Sequence, residues 1–181
     1  MPQGLRARFW DEARGLLEGS LAWPERFAQL ETLIGGYGAG WDLVHAPPRR
    51  DSSSDPHAIC RPLPDAVVGY RAFLIPWELG VETLIHGHPS VMFVFPISAR
   101  LDAVDYTMVD GRPERSGSRS YGPGEPMVGW ADNDRHDNFM HRLMCTHAGW
   151  SLHIYSDWGG RGVRFDAQGN PVTPTSRPED V

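Results

Sequence analysis

Hydrophobic positions along the chain change period partway through. From residue 4 to about 38, Leu5, Phe9, Ala13, Leu16 and Leu17 recur at helical spacing, with Arg6, Asp11, Glu12 and Arg14 between them. Pro24 suits the first turn of a second helix, whose apolar side is Phe27, Leu30, Leu33 and Ile34 and which Gly35-Gly36 stops. Residues 47–56 are polar and rich in Pro and Ser, the pattern of an exposed connection. From residue 66 short runs of Val, Ile, Phe, Tyr and Trp alternate with turn clusters. They predict strands at 67–77, 83–88, 91–97, 101–109, 126–130, 139–145, 151–156 and 163–165. Asp110-Gly111 and Gln168-Gly169-Asn170 are hairpin turn sequences. The expected fold is mainly β and a single domain over 1–181. A helical N-terminal section (1–45) packs on a small β-barrel or jelly roll (60–172), and 173–181 form a loose tail.

Composition narrows the partners. A chain of 181 residues, 40% hydrophobic, is large enough to bury one core. A net charge of -6 with scattered rather than striped basic residues argues against nucleic acid, where phosphate binding needs clustered Lys and Arg. No apolar run approaches membrane-spanning length and the N-terminus has no signal pattern, so no membrane partner is expected. Two cysteines, Cys60 and Cys145, cannot staple a secreted domain; a reducing, cytoplasmic setting is expected.

The chemistry concentrates at His86-Gly87-His88. On a strand, residues two apart share a face, so both imidazoles project to one side from adjacent positions and suit one metal ion. A third donor has to come from another strand, and His136, His141, His147 and His153 are the candidates downstream. His141 is the best placed, opening a strand-like run after a polar turn. Neutral imidazoles suit iron, nickel, copper or zinc, and so define a class of metal rather than one element. Ser151, His153 and Tyr155 share one face of a predicted strand. Of the seven tryptophans, Trp77 and Trp130 are the two expected to face the pocket.

The spacing from Gly80 through five residues to His86-Gly87-His88 is similar to the opening half of the cupin signature. With Ile85-His86-Gly87-His88, His141-Arg142, Ser151-Leu152-His153-Ile154-Tyr155-Ser156 and Phe165-Asp166-Ala167-Gln168-Gly169 in that order, the chain resembles the cysteine dioxygenase-type thiol dioxygenases of the cupin superfamily over roughly residues 60–172. The resemblance implies a cupin-type barrel in which His86, His88 and His141 hold ferrous iron, while the imidazole set by itself also suits nickel(II). It implies a catalytic row of Ser151, His153 and Tyr155, and a small thiol substrate such as cysteine that takes up both atoms of dioxygen to give a sulfinate. It also implies an arginine for the substrate carboxylate: Arg61 stands at the matching distance, and Arg71 competes with it.

Three departures bear on the substrate. Phe93 stands where animal members carry a cysteine cross-linked to the tyrosine, which points to a bacterial origin and adds expected bulk near the metal. The cupin glutamate is replaced in the Met92-Phe93 region, with Glu82 as the candidate substitute. The segment from Trp130 to His141 is longer than its family counterpart. These keep two alternatives in view: a biosynthetic cupin oxygenase that rearranges or decarboxylates a sulfur amino acid, and a non-catalytic cupin binding a metal or small acid.

Overall fold

The computed structural model describes residues 3–37, 61–62, 69–133, 135–157 and 162–173. Two helices, α1 (Gln3–Leu17) and α2 (Trp23–Gly36), precede ten strands. These are β1 (Arg61–Pro62), β2 (Arg71–Trp77), β3 (Ile85–His88), β4 (Val91–Pro96), β5 (Arg100–Val109), β6 (Arg112–Tyr121), β7 (Met127–Trp130), β8 (Asn138–His147), β9 (Gly149–Tyr155) and β10 (Arg164–Phe165). Pro24 lies in the first turn of α2, where its missing N–H costs nothing, and the Glu25 side chain accepts from the Ala22 N–H.

The strands form two antiparallel five-stranded sheets, ordered β1-β2-β9-β4-β7 and β10-β3-β8-β5-β6. Successive strands from β2 to β9 pair into two interleaved sets, 2-9-4-7 and 3-8-5-6, the connectivity of a jelly roll. The mainly β, jelly-roll expectation therefore holds.

Each sheet has a different environment, and the strand sequences follow it. The first sheet is buried on both sides. Ala72, Leu74, Val91, Phe93, Phe95, Trp150, Leu152 and Ile154 face the two helices, packing on Phe9, Trp10, Leu17, Phe27, Leu30 and Ile34. Phe73, Ile75, Trp77, Met92, Val94 and Tyr155 face the interior between the sheets, meeting Leu101, Ala103, Leu143 and Cys145 of the second sheet. A strand covered on both faces reads as a continuous apolar run, and β4 (Val91–Pro96) is buried at every position. Among the described residues the outer face of the second sheet carries a small cluster, Ile85, Met140 and Phe165, and β5 alternates inside and out.

β6 was not among the expected strands. Its ten residues are almost entirely polar and half or fully exposed, and it is held as an edge by its ladder to β5. Asp110-Gly111 makes the turn between them with both residues at positive φ, 48° and 80°, the signature of a two-residue type I′ hairpin. The second expected turn also forms: the Asp166 carboxylate accepts from the Gln168 and Asn170 N–H groups, with Gly169 at φ 80°. The expected connection at 47–56, residues 67 and 68 of the expected strand, and residues 174–181 lie outside the described residues. Among the described residues no helix is long and apolar enough to cross a membrane.

Candidate metal centre

His86 and His88 come from β3, and His141 from β8 beside it, all three buried on the interior face. One ligand nitrogen from each lies within 4.8 Å of the others, and their rings sit 4.7–4.8 Å apart, centroid to centroid. Among the described residues this is the grouping that can hold an ion, and no carboxylate joins it.

A break in the ladder makes the convergence possible. His86 pairs with His141, yet His88 pairs with Asn138, so Phe139 and Met140 oppose the single Gly87. This is a β-bulge, which turns one strand locally and re-aims its side chains. Phe139 takes φ 49°, a left-handed conformation that costs a residue with a side chain roughly 1–3 kcal/mol. Beyond it Met140 faces outward, while His141 joins Leu143 and Cys145 inside. The Phe139 ring lies where a Cβ on Gly129 would fall, 2.7 Å from it. Gly87 is equally constrained: a Cβ there would stand 2.6 Å from the His136 carbonyl oxygen and 2.7 Å from Asp137 Cα.

Tautomers and distances fit a cation. His86 Nδ1 donates to the Leu84 carbonyl at 2.9 Å; a carbonyl only accepts, so the hydrogen is on Nδ1 and the Nε2 lone pair is left for a ligand role. His88 Nε2 and His141 Nε2 stand 3.1 Å apart. Two donors each about 2.1 Å from one ion at roughly a right angle would stand about 3 Å apart, which matches. Three neutral donors would leave a bound ion its full charge, which favours an anionic further ligand.

Beside these histidines runs a chain of hydrogen bonds on β2 and β9. Trp77 Nε1 donates to Ser151 Oγ at 2.7 Å; Ser151 Oγ lies 2.7 Å from His153 Nε2, and His153 Nδ1 lies 2.6 Å from Tyr155 Oη. All four residues are at most 3% exposed. The Tyr155 ring stacks on His88, centroids 5.2 Å apart, which joins the chain to the histidine cluster.

Other expected site residues sit elsewhere. Phe93 faces the helices and stacks on Phe27 of α2, ring centroids 5.8 Å apart, so it adds no bulk beside the three histidines. Trp130, 44% exposed, pairs with Val91 on that same outer face and approaches Phe27, so it does not face the interior either. Both follow from strand parity: Met92 and Val94 face inward, and their neighbours therefore face out. Glu82 is exposed, 3.8 Å from Arg142, and takes no part in the cluster. Trp77 does face inward, but its polar atom is engaged by Ser151.

Arg71 stands directly opposite Tyr155 in the ladder, hence on the interior face, at the exposed end of β2. Arg61 pairs in register with Leu74, a residue of the helix-facing side, and its side chain lies outside the described residues. His147 is exposed, and His136, with its ring 3.4 Å from Asp157, is not one of the grouped histidines. Cys145 is buried with its thiol on the His147 carbonyl at 3.2 Å, and burial pushes its pKa up. The sequence reading missed Phe139 and Gly129; the one signal near them is the Asn- and Asp-rich run 132–138 leading into β8.

No family model and no curated protein matches the chain. Among solved structures it is similar to an RmlC-like cupin from Shewanella frigidimarina, 14% identical over 48% of this chain and 64% of that one, with a TM-score of 0.35. A sugar phosphate isomerase from a cupin superfamily in Silicibacter pomeroyi is 22% identical over 63% of this chain and 79% of its own, TM-score 0.40. A cupin-like protein from Thermotoga maritima is 14% identical over 53% and 65%, TM-score 0.40. The chain spans less than two thirds of the length of the Shewanella and Thermotoga proteins.

Proposed function

We propose that the chain is a cupin-superfamily thiol dioxygenase acting on cysteine or a similar small thiol carboxylate, with iron(II) as its metal. One observation carries the reading: three buried imidazoles whose ligand nitrogens lie within 4.8 Å of one another, one of them, His88, stacked against a tyrosine at the end of a hydrogen-bonded row. His86, His88 and His141 would hold the ion. When bound, it supplies a cation on which a thiol loses its proton and the redox capacity to combine sulfur with dioxygen.

The chain's own residues do the rest. The interior face of Phe73, Met92, Val94, Leu101 and Leu143 excludes water around the reacting sulfur. The Arg71 guanidinium, at the rim on that same face, is suited to a substrate carboxylate, where a two-pronged ion pair sets orientation. The Tyr155 hydroxyl donates to negative charge developing on oxygen as it joins sulfur. The balance is simple. A thiol and dioxygen give a sulfinic acid: the O–O bond breaks, two S–O bonds form, sulfur loses four electrons and dioxygen gains them, with no outside reductant.

Phe93 was a reason to consider a rearranging or decarboxylating oxygenase, and its place among the helices removes that reason. The test is oxygen uptake by iron-loaded protein across cysteine, cysteamine and mercapto acids, with product mass. Uptake matched by sulfinate, and abolished in His86→Ala, is expected. Protein that binds metal yet consumes no oxygen with any thiol would be a non-catalytic cupin, and the proposal would fail.

A further inference from the structure

The buried chain behind the cluster has a direction, and one end decides it. We propose that Trp77 is a positioning residue that orders every proton from Ser151 to Tyr155, so that the Tyr155 hydroxyl hydrogen is directed away from His153.

An indole N–H donates and cannot accept, so Ser151 Oγ accepts from Trp77. Among the described residues the Ser151 hydroxyl has one further partner, His153 Nε2. Trp77 and Ser151 are both 0% exposed, so the Ser151 hydrogen finds its acceptor on His153 or goes without, which a buried hydroxyl does at a real cost. His153 Nε2 then accepts. A neutral imidazole with an accepting Nε2 carries its hydrogen on Nδ1, and Nδ1 donates to Tyr155 Oη at 2.6 Å. Tyr155 is an acceptor on that side, and its own hydrogen is turned outward, beyond His153. The opposite order would set two N–H groups against the Ser151 oxygen and leave its hydrogen with nothing to meet.

The order itself is independent of what the site turns over. Its consequence for catalysis rests on the thiol oxidation proposed above, since a tyrosine pointed the other way would present lone pairs where a donor is needed. Trp77→Phe removes the donor and opens room beside Ser151 for a water, which accepts as readily as it donates, so the order is no longer imposed.

Nitrogen-15 NMR of histidine-labelled protein, metal-free and then with zinc, reads the His153 tautomer directly. Wild type is expected to hold the hydrogen on Nδ1 alone, and Trp77→Phe to show both tautomers. Turnover of the iron-loaded variant should fall about tenfold, one hydrogen bond's worth, with KM and metal content unchanged. Ser151→Ala should fall at least as far, and the double variant no further than Ser151→Ala, because Trp77 acts only through Ser151. A wild-type His153 with its hydrogen on Nε2, a Trp77→Phe protein that keeps the single tautomer, or additive losses would each overturn the proposal. Should Trp77→Phe fail to fold, the wild-type spectrum still decides. A correct tautomer in protein that oxidises no thiol would leave the ordering intact and sink the function instead.

Discussion

His86 on β3 lies directly across the ladder from His141 on β8, and one step later the register slips so that His88 meets Asn138. That slip brings imidazoles from two strands to one point. The cross-strand pair and the two-residue spacing each supply one edge of the triangle, and the bulge supplies the third.

Removing any one of these rings is expected to abolish tight binding of one iron or zinc per chain. His88→Ala and His141→Ala should each lose metal by elemental analysis while remaining folded by circular dichroism. Metal should also raise the wild-type melting temperature, since a ligand at 100 times its Kd stabilises by about 2.7 kcal/mol. Unchanged metal content in either variant would remove the site.

Gly87→Ala tests the close approach. The new methyl meets backbone rather than a movable side chain, at 2.6 Å from His136 O, so the 136–137 segment has to move. We expect a loss of about 1–3 kcal/mol in denaturant unfolding and weakened metal binding in the same variant. Gly80→Ala, with nothing within 4 Å but φ 79°, should cost stability and leave metal affinity as it is.

Phe93 and Tyr155 separate packing from chemistry. Phe93→Ala should cost about 3–5 kcal/mol in stability and leave KM for the thiol unchanged. Tyr155→Phe should lower kcat about 100-fold with metal retained, the scale of losing one donor at developing charge. A KM effect from Phe93→Ala would return that ring to the pocket.

Arg71→Leu should raise KM for a thiol carboxylate about 10- to 100-fold, as expected for a hydrogen bond to a charged group, and leave cysteamine oxidation alone. Steady-state kinetics on both substrates decide it; equal effects on the two would hand the carboxylate to Arg61.

Cys145 should resist alkylation. Burial raises its pKa, so the reactive thiolate is scarce at neutral pH and appears only as pH rises or the fold opens. Peptide mapping after iodoacetamide, with and without denaturant, measures it. Rapid native labelling at Cys145 would show the interior to be open.

Much of this was legible along the chain. The 3.6-residue spacing located both helices, Asp110-Gly111 and Gln168-Gly169-Asn170 marked their turns, and period-two geometry put His86 and His88 on one side. These are signals between neighbours, and backbone stereochemistry enforces them wherever the chain goes. The limits lie with Phe93, Trp130 and β6. Alternation tells which residues of β4 share a face, but both faces are apolar because helices cover one and a second sheet the other; nothing local says which looks toward the three histidines. β6 has no apolar face to betray it and is a strand only because β5 offers unpaired hydrogen-bonding groups.

The residue types and spacing already placed the His86–His88 pair, the turns and a mainly β fold, because these follow from short-range geometry. The bulge at Phe139, the side on which Phe93 falls and the link from Trp77 to Ser151 came only with folding. Each depends on register between segments up to 74 residues apart, and register is settled by the packing of whole sheets.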